Sequence, residues 1–140
     1  MNTNDNDTDS KELKVQYTTQ KEKICYAKTG DAGIDLRASE PATLFIGKRQ
    51  TISCGINIAL PKGTVGLVCP RSGLASKHGI TIVSAPGIVD SGYRGDIKVV
   101  LLNTDTQKPF VIHEGDRIAQ LVVVPFVSCD VVEVDALDDT

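Results

Sequence analysis

Apolar residues occur along most of this chain in short runs that are separated by turn-forming residues. The runs are rich in Val, Ile and Thr and end at Gly, Pro, Asp or Asn, a pattern typical of β-strands. Only Ser72–His78 is predicted to form one or two helical turns, because no longer window has the periodicity of an amphipathic helix. The predicted strands are Leu13–Tyr17, Thr43–Ile46, Gln50–Asn57, Thr64–Cys69, Thr81–Ser84, Asp96–Leu102, Phe110–Ile112, Ile118–Phe126 and Val131–Val134.

So many strands, without helices to cover a parallel sheet, predict an all-β fold. An antiparallel sandwich or distorted β-barrel of the jelly-roll type would bury the apolar faces of these strands. At 140 residues the chain has the size of one domain, which we place at 13–134. Residues 1–12 are almost wholly polar and are predicted to be a disordered tail, whereas 135–140 are predicted to be an acidic C-terminal linker.

One segment near the end of the chain is more apolar than a solvated strand requires. Val122–Phe126 lacks the alternation of apolar and polar residues, and Val131 and Val132 follow it closely. Such a strand is covered on both faces, either by a second sheet of the same subunit or by another copy of the chain. We expect a homo-oligomer, with the deeply buried sandwich strand as the alternative.

Charge and cysteine content restrict the possible partners and the compartment. The formal net charge is -3 and the pI is about 5.3, which argues against binding to nucleic acid by counterion release and leaves only small polyanions. The four cysteines show no zinc-type or redox spacing, so we interpret them as buried small hydrophobic residues in a reducing compartment. Because no run is long enough for a leader or a membrane span, a soluble cytoplasmic protein is expected.

The stretch from Ser84 to Ile97 is predicted to be a tight hairpin that carries Asp90 and Tyr93 near its tip. Aspartate beside Ser-Gly is often only a turn former. As a functional group, Asp90 could hold a water molecule as a general base. Exposed backbone groups of a bent strand could read the edge of a flat heterocycle, while Tyr93 stacks on a sugar or a base.

A strand-like segment, AGIDLRA, places Asp35 between two apolar neighbours. Its side chain therefore faces away from theirs, toward water, a ligand or a partner. Because aspartate is unfavourable in a strand, the position indicates a specific partner. That partner is either a hydrated metal ion or an arginine in a salt bridge.

A third segment, PRSGLASKHGI, combines an arginine, a hydroxyl and a glycine at the start of the predicted short helix. Arg71, Ser72 and Gly73 supply a planar cation, a hydroxyl and exposed backbone N–H groups, which together suit a phosphate. The order of residues is not that of a P-loop. The alternative is an ordinary helix cap.

Two further polar positions lie in predicted strands. In GDRIAQL, Arg117 opens a strand and Gln120 offers both a donor and an acceptor. Lys98 is predicted to share a face with Asp96 and Val100. Each position could equally be an ordinary solvent-exposed residue.

In this order and at these separations, AGIDLRA, PRSGLASKHGI, GIVDSGYRGDIKV and GDRIAQL resemble the first four signature motifs of the trimeric deoxyuridine triphosphate nucleotidohydrolases, the dUTPases. The resemblance covers about Leu13 to Val134, and the second motif is similar to its bacterial form. It implies a jelly-roll homotrimer with three active sites between subunits. It also implies hydrolysis of dUTP to dUMP and pyrophosphate, which limits uracil in DNA and supplies dUMP for dTMP synthesis.

The resemblance further implies a role for each matched residue. Asp90 would orient the water that attacks the α-phosphorus, and Tyr93 would stack under the deoxyribose and crowd out a 2′-hydroxyl. Mg²⁺ would be held mainly by the triphosphate and waters, with Asp35 near the hydrated metal. The phosphates would be bound by Arg71, Ser72, Gly73, Arg117 and Gln120, and the nucleoside by Ser84, Gly87, Ile88, Val89 and Lys98.

Two features depart from the family pattern. Ser84-Ala85 stands where bacterial relatives commonly have Asn-Ser, so the serine hydroxyl would replace an asparagine contact. The glycine-rich fifth motif, RGxxGFGSTG, is not found before the last residue, Thr140. Because that motif carries an aromatic lid and an arginine for the γ-phosphate, the chain is expected to bind nucleotide and to turn it over slowly.

Three other functions are compatible with parts of the pattern. A dCTP deaminase shares the fold but uses an active-site glutamate, so the hairpin with Asp90 and Tyr93 fits the uracil enzyme better. A trimeric sensor would bind dUTP without turnover. An oligomeric coat module would have no affinity for nucleotides, which the four polar motifs argue against.

Overall fold

The computed structural model describes residues 13–140, and the predicted polar tail at 1–12 lies outside the described residues. The described part contains ten strands and one short helix. None of its helices is long and apolar enough to span a membrane. The elements are β1 (Gln16–Thr19), β2 (Gly33–Arg37), β3 (Ala42–Leu44), β4 (Arg49–Ala59), β5 (Thr64–Cys69), α1 (Ser72–His78), β6 (Ile80–Ile82), β7 (Gly87–Asp90), β8 (Asp96–Asn103), β9 (Phe110–Ile112) and β10 (Arg117–Pro125).

The strands form two four-stranded sheets and one strand pair, and every pairing among the described strands is antiparallel. Sheet 1 has the order β1-β4-β8-β6, sheet 2 has the order β2-β10-β5-β7, and β3 pairs with β9. Neighbouring strands in each sheet are distant in sequence, as in a jelly roll. The predicted all-β class with an antiparallel jelly-roll architecture is therefore confirmed.

A single apolar core lies between the two large sheets. In β8, Ile97, Val99 and Leu101 alternate with less buried residues and are almost completely buried. Leu36 of β2 and Leu121 of β10 are fully buried on the facing sheet. This alternation buries one face of each strand and leaves the other face available for a site.

The predicted hairpin between Ser84 and Ile97 is wrong in its pairing. β7 pairs with β5, whereas β8 pairs with β4 and β6, so the two strands belong to different sheets. Val89 enters the core from sheet 2 and Ile97 enters it from sheet 1. Local turn signals identify the reversal at Asp90–Tyr93 but do not specify which strands pair.

The predicted strand Val131–Val134 is also absent from the structure. Residues 126–140 lie outside the named strands, and Val131 is 99% and Leu137 87% exposed. An extended, apolar segment becomes a strand only when another strand pairs with its backbone. Within this single described chain, 13–140, no strand pairs with that segment.

The cysteines divide into buried and exposed residues, so their interpretation as a uniformly buried set is wrong. Cys54 is buried and Cys69 half-buried, but Cys25 and Cys129 are exposed. Burial, with a smaller contribution from the negative charge of Asp96, raises the pKa of Cys54 to about 12. The Cys54 thiol is therefore neutral near pH 7 and is packed as an apolar residue.

Candidate active site

Two arginines converge on one carboxylate at the edge of sheet 2. Arg71, in the loop before α1, donates a hydrogen bond from Nη1 to Oδ1 of Asp35 at 2.7 Å. The Nη1 atom of Arg117 lies 3.7 Å from the other oxygen, Oδ2. The predicted arginine partner of Asp35 is therefore present. The Asp35 side chain is only 17% exposed, and its carboxylate fixes both guanidinium groups.

Gln120 connects this group to the loop before α1. Its side-chain Nε2 donates to the carbonyl of Pro70 at 3.0 Å. A Cβ atom at position 33 would collide with Oε1 of Gln120, so only glycine lets the amide lie across β2. The resulting polar pocket has a volume of about 350 Å³ and is lined by Ala27, Asp31, Ala32, Gly33, Asp35, Arg71, Ser72, Gly73, Arg117 and Gln120.

A tight turn carries the aspartate and the tyrosine of the third motif. The backbone N–H of Tyr93 donates to the carbonyl of Asp90 at 3.1 Å, and the phenolic hydroxyl donates to the carbonyl of Asp96 at 2.9 Å. The ring lies so close to Gly95 that a Cβ there would come within 2.5 Å of the phenol oxygen. Glycine at 95 is therefore what allows this position of the ring.

Beside this turn is a cavity of about 270 Å³, here called the turn cavity, whose walls combine apolar side chains with two carboxylates and one amine. Its size is close to the lower range for small-molecule sites. It brings together every residue predicted to bind a nucleoside: Ser84, Gly87, Ile88, Val89, Tyr93 and Lys98. Asp90, Asp96 and apolar residues of β5, β6 and β8 complete the lining.

β7 borders this cavity and is the last strand of sheet 2. Because it pairs only with β5 on one side, the backbone N–H and C=O groups on its other side are not used in the sheet. They form a fixed row of donors and acceptors beside the cavity. A flat ligand with a complementary edge could pair with them as an additional strand would.

Asp35 and Asp90 are far apart within one chain. Asp35 lies opposite Gln120, which lies opposite Cys69 on β5. Asp90 lies opposite Val65, four residues further along the same strand. Three strand spacings across the sheet and four residues along it separate the carboxylates by about 20 Å.

The polar pocket and Asp90 nevertheless lie on the same outward face of sheet 2, since their strand neighbours Leu36 and Val89 point into the core. The surface between them is apolar. Leu67 of β5 lies opposite Val122 on one side and Ile88 on the other, and none of the three is buried. An apolar strip flanked by two polar groups is typical of an interface with another molecule.

The polar pocket suits a phosphate and does not suit a metal ion bound by protein atoms alone. Among residues 13–140, no group of three or more His, Cys, Asp or Glu side chains is arranged to hold a metal. Asp35 is already paired with two arginines. A divalent cation here would therefore have to take most of its ligands from a bound anion and from water.

Comparison with known proteins identifies the family of this chain. The family model described as dUTPase matches residues 19–140. The chain belongs to the dUTPase family. The deoxyuridine 5′-triphosphate nucleotidohydrolase of Leifsonia xyli subsp. xyli is 56% identical over 115 residues, which cover 82% of this chain and 76% of that protein.

Solved dUTPases share the fold at low sequence identity. A mutant dUTPase of phage phi11 of S. aureus, whose structure concerns the coordination of a structural Mg(II) ion, matches with a TM-score of 0.81 at 23% identity. That match covers 90% of this chain and 99% of the phage protein. A mutant dUTPase of Staphylococcus bacteriophage 80alpha with dUpNHpp matches with a TM-score of 0.78 at 22% identity, over 90% and 99% of the two chains.

The dUTPase motifs thus form two groups in this subunit. The first, second and fourth motifs meet in the polar pocket, and the third motif forms the turn cavity. Sequence reasoning did not assign a role to Asp31 or Gly33, which also line the polar pocket. Their position within or beside AGIDLRA was the available signal.

Proposed function

We propose that this chain is a dUTP diphosphatase that hydrolyses dUTP to dUMP and pyrophosphate. The observation that carries the proposal is the division of its four motifs between two sites of complementary chemistry. The polar pocket offers cations and backbone N–H groups for phosphates, and the turn cavity offers an aromatic ring, a free strand edge and a carboxylate. The chain's membership in the dUTPase family supports the same reaction.

The phosphate chain binds in the polar pocket. Arg71 and Arg117 provide positive charge, and Asp35 holds the two guanidinium groups in place before the substrate arrives. Ser72 and Gly73 add a hydroxyl and backbone N–H groups at the start of α1. Phosphoryl transfer needs mainly positioning and neutralisation of charge, which this arrangement supplies in an otherwise acidic protein.

Asp90 activates the attacking water. The water oxygen forms a bond to the α-phosphorus, the bond from that phosphorus to the bridging oxygen of the β-phosphate breaks, and pyrophosphate leaves. Asp90 accepts the proton that the water loses. The side chain of Asp90 is exposed at the end of β7.

Mg²⁺ is the proposed cofactor, and Asp35 and Asp31, which line the polar pocket, would hold it indirectly through water. When bound, it would supply neutralisation of phosphate charge. The structural Mg(II) ion of the phi11 phage dUTPase shows that a member of the family binds this metal.

The turn cavity selects the deoxyuridine part of the substrate. The free edge of β7 presents fixed donors and acceptors that pair with the uracil edge and are left unpaired by cytosine. The proposal requires that uracil fill this cavity of about 270 Å³ closely enough to exclude the methyl group of thymine. Tyr93, which is held against Gly95, stacks under the deoxyribose and crowds a 2′-hydroxyl.

A substrate comparison tests the proposal. We expect pyrophosphate release from dUTP to exceed that from dCTP, dTTP and UTP by about 10² or more in kcat/KM. Cytosine leaves polar groups of the site unpaired, thymine adds a methyl group, and UTP adds a 2′-hydroxyl that Tyr93 crowds. Release would be followed by quenched single-turnover assays with Mg²⁺. Ammonia from dCTP would indicate a deaminase, and tight dUTP binding without any pyrophosphate would indicate a sensor.

We also propose that the working form is a homotrimer with active sites between subunits, in the cytoplasm. Asp35 and Asp90 of one chain are about 20 Å apart, so the α-phosphorus of one substrate cannot lie near both carboxylates. The apolar strip with Leu67, Val122 and Ile88 supports contact with a second copy, as does the exposed apolar segment at 126–140. A neighbouring subunit would then bring its Asp90 to the polar pocket of this one.

Mixing two inactive variants tests the intersubunit site. Arg71→Ala and Asp90→Asn chains, refolded together in equal amounts, are expected to recover about a quarter of the wild-type activity, because a quarter of random interfaces combine two intact partners. Each variant refolded alone is the control and should stay inactive. If both groups acted within one chain, the mixture would show no recovery.

A further inference from the structure

The loop that carries the proposed catalytic turn is attached to strand β4 by two side chains. Ser53 donates a hydrogen bond from its hydroxyl to Oδ2 of Asp96 at 2.7 Å. Asn57 donates from Nδ2 to the carbonyl oxygen of Arg94 at 2.9 Å. None of the dUTPase signature motifs includes Ser53 or Asn57, and neither residue lines the turn cavity.

An irregularity in β4 lets both side chains reach this loop. Ser53 lies opposite Lys98 and Asn57 lies opposite Asp96, so four residue steps in β4 match two in β8. The two extra residues form a bulge at Gly55, whose φ of +68° is a conformation that favours glycine. The N–H of Gly55 also donates to the Ser53 hydroxyl at 3.1 Å.

The Ser53 hydroxyl is thereby fixed in direction. It accepts from Gly55 and donates to Asp96, and the carbonyl of Asp96 in turn accepts from the Tyr93 hydroxyl at 2.9 Å. Tyr93 closes the turn by donating its N–H to the carbonyl of Asp90. These hydrogen bonds, joined through Asp96 and Tyr93, therefore link the β4 bulge to the aromatic ring and to the backbone of Asp90.

We propose that Ser53 and Asn57 are positioning residues for dUTP hydrolysis, acting through Asp96 and Arg94 on the turn of Asp90 and Tyr93. The inference rests on the proposed function. The bond from Ser53 ends on a carboxylate at 2.7 Å, whereas Asn57 contacts a backbone carbonyl at 2.9 Å. Hydrogen bonds to carboxylates are the stronger class. Ser53 is therefore the dominant residue of the two.

Substitution of Ser53 separates positioning from binding. We expect Ser53→Ala to lower the single-turnover rate of pyrophosphate release about tenfold while the Kd for dUpNHpp changes less than about threefold, because the loop is loosened but the phosphate contacts remain. Ser53→Thr, which keeps the hydroxyl, should recover the rate to within about threefold. Thr51→Ala is the matched control, since Thr51 is an exposed hydroxyl residue of β4 for which no side-chain hydrogen bond is found among residues 13–140.

Amide hydrogen exchange of residues 91–96 in the nucleotide-free protein gives a readout that does not depend on hydrolysis. We expect exchange at these amides to be about tenfold faster in Ser53→Ala and unchanged in Thr51→Ala. Equal exchange and equal rates in the two variants would overturn the proposal. A wild-type protein that releases no pyrophosphate, with this exchange difference intact, would instead contradict the proposed function alone.

Discussion

Replacement of Asp90 by asparagine is expected to lower the rate of pyrophosphate release from dUTP by about 10³, within the range for loss of a general base. The amide has nearly the shape of the carboxylate but cannot accept the proton of the attacking water. The Kd for dUpNHpp should change by less than about threefold, because the phosphate contacts are made by other residues. Single-turnover quench assays and calorimetry measure the two quantities.

Glu40→Gln is the matched control for this experiment. It removes one carboxylate by the same chemical change, and Glu40 is an exposed residue between β2 and β3 that lines neither the polar pocket nor the turn cavity. We expect its rate to equal that of the wild type. Equal rates for Asp90→Asn and the wild type would show that Asp90 is not the base.

Replacement of Asn103 by alanine is expected to lower the free energy of unfolding by about 3 kcal/mol or more. Asn103 is the fully buried polar residue of the described chain. Its amide nitrogen donates to the carbonyls of Leu44 at 3.0 Å and Lys108 at 3.1 Å, and its oxygen accepts from the N–H of Asp105 at 2.8 Å. Alanine would leave these backbone groups, which join β3 to the loop after β8, without partners.

Urea unfolding at one fixed protein concentration measures this change, since association of subunits would also alter apparent stability. Gln107→Ala is the control, because Gln107 is an exposed amide residue in the same loop. We expect that variant to lie within about 0.5 kcal/mol of the wild type. A similar result for Asn103→Ala would mean that water replaces the lost contacts.

The agreement between the predicted and observed strands has a simple physical cause. In β8, alternation of apolar residues at Ile97, Val99 and Leu101 decides which face is buried, and this is local information. The helix Ser72–His78 was also predicted, and Gly79 ends it with a φ of +67°. The candidate residues of the site were predicted from ordered motifs rather than from periodicity.

Other features depend on contacts between distant residues. The pairing of β7 with β5 was not predictable from Pro-Gly and Ser-Gly turns, because such turns specify a reversal of the chain and not a partner strand. Val131–Val134 satisfied a strand pattern but lacks a strand partner in this chain. The bulge at Gly55, which brings Ser53 to Asp96, likewise required the register of β4 against β8.

By itself, the sequence determined the all-β class, the buried faces of the strands and the residue types available for a phosphate, a base and a water. Only the tertiary structure decided that these residues form two separate groups about 20 Å apart on one outward face. The physical reason is that side-chain alternation is set by neighbours along the chain, whereas strand order and register are set by packing of the two sheets. The separation of the two groups is therefore visible only after the strands are assembled.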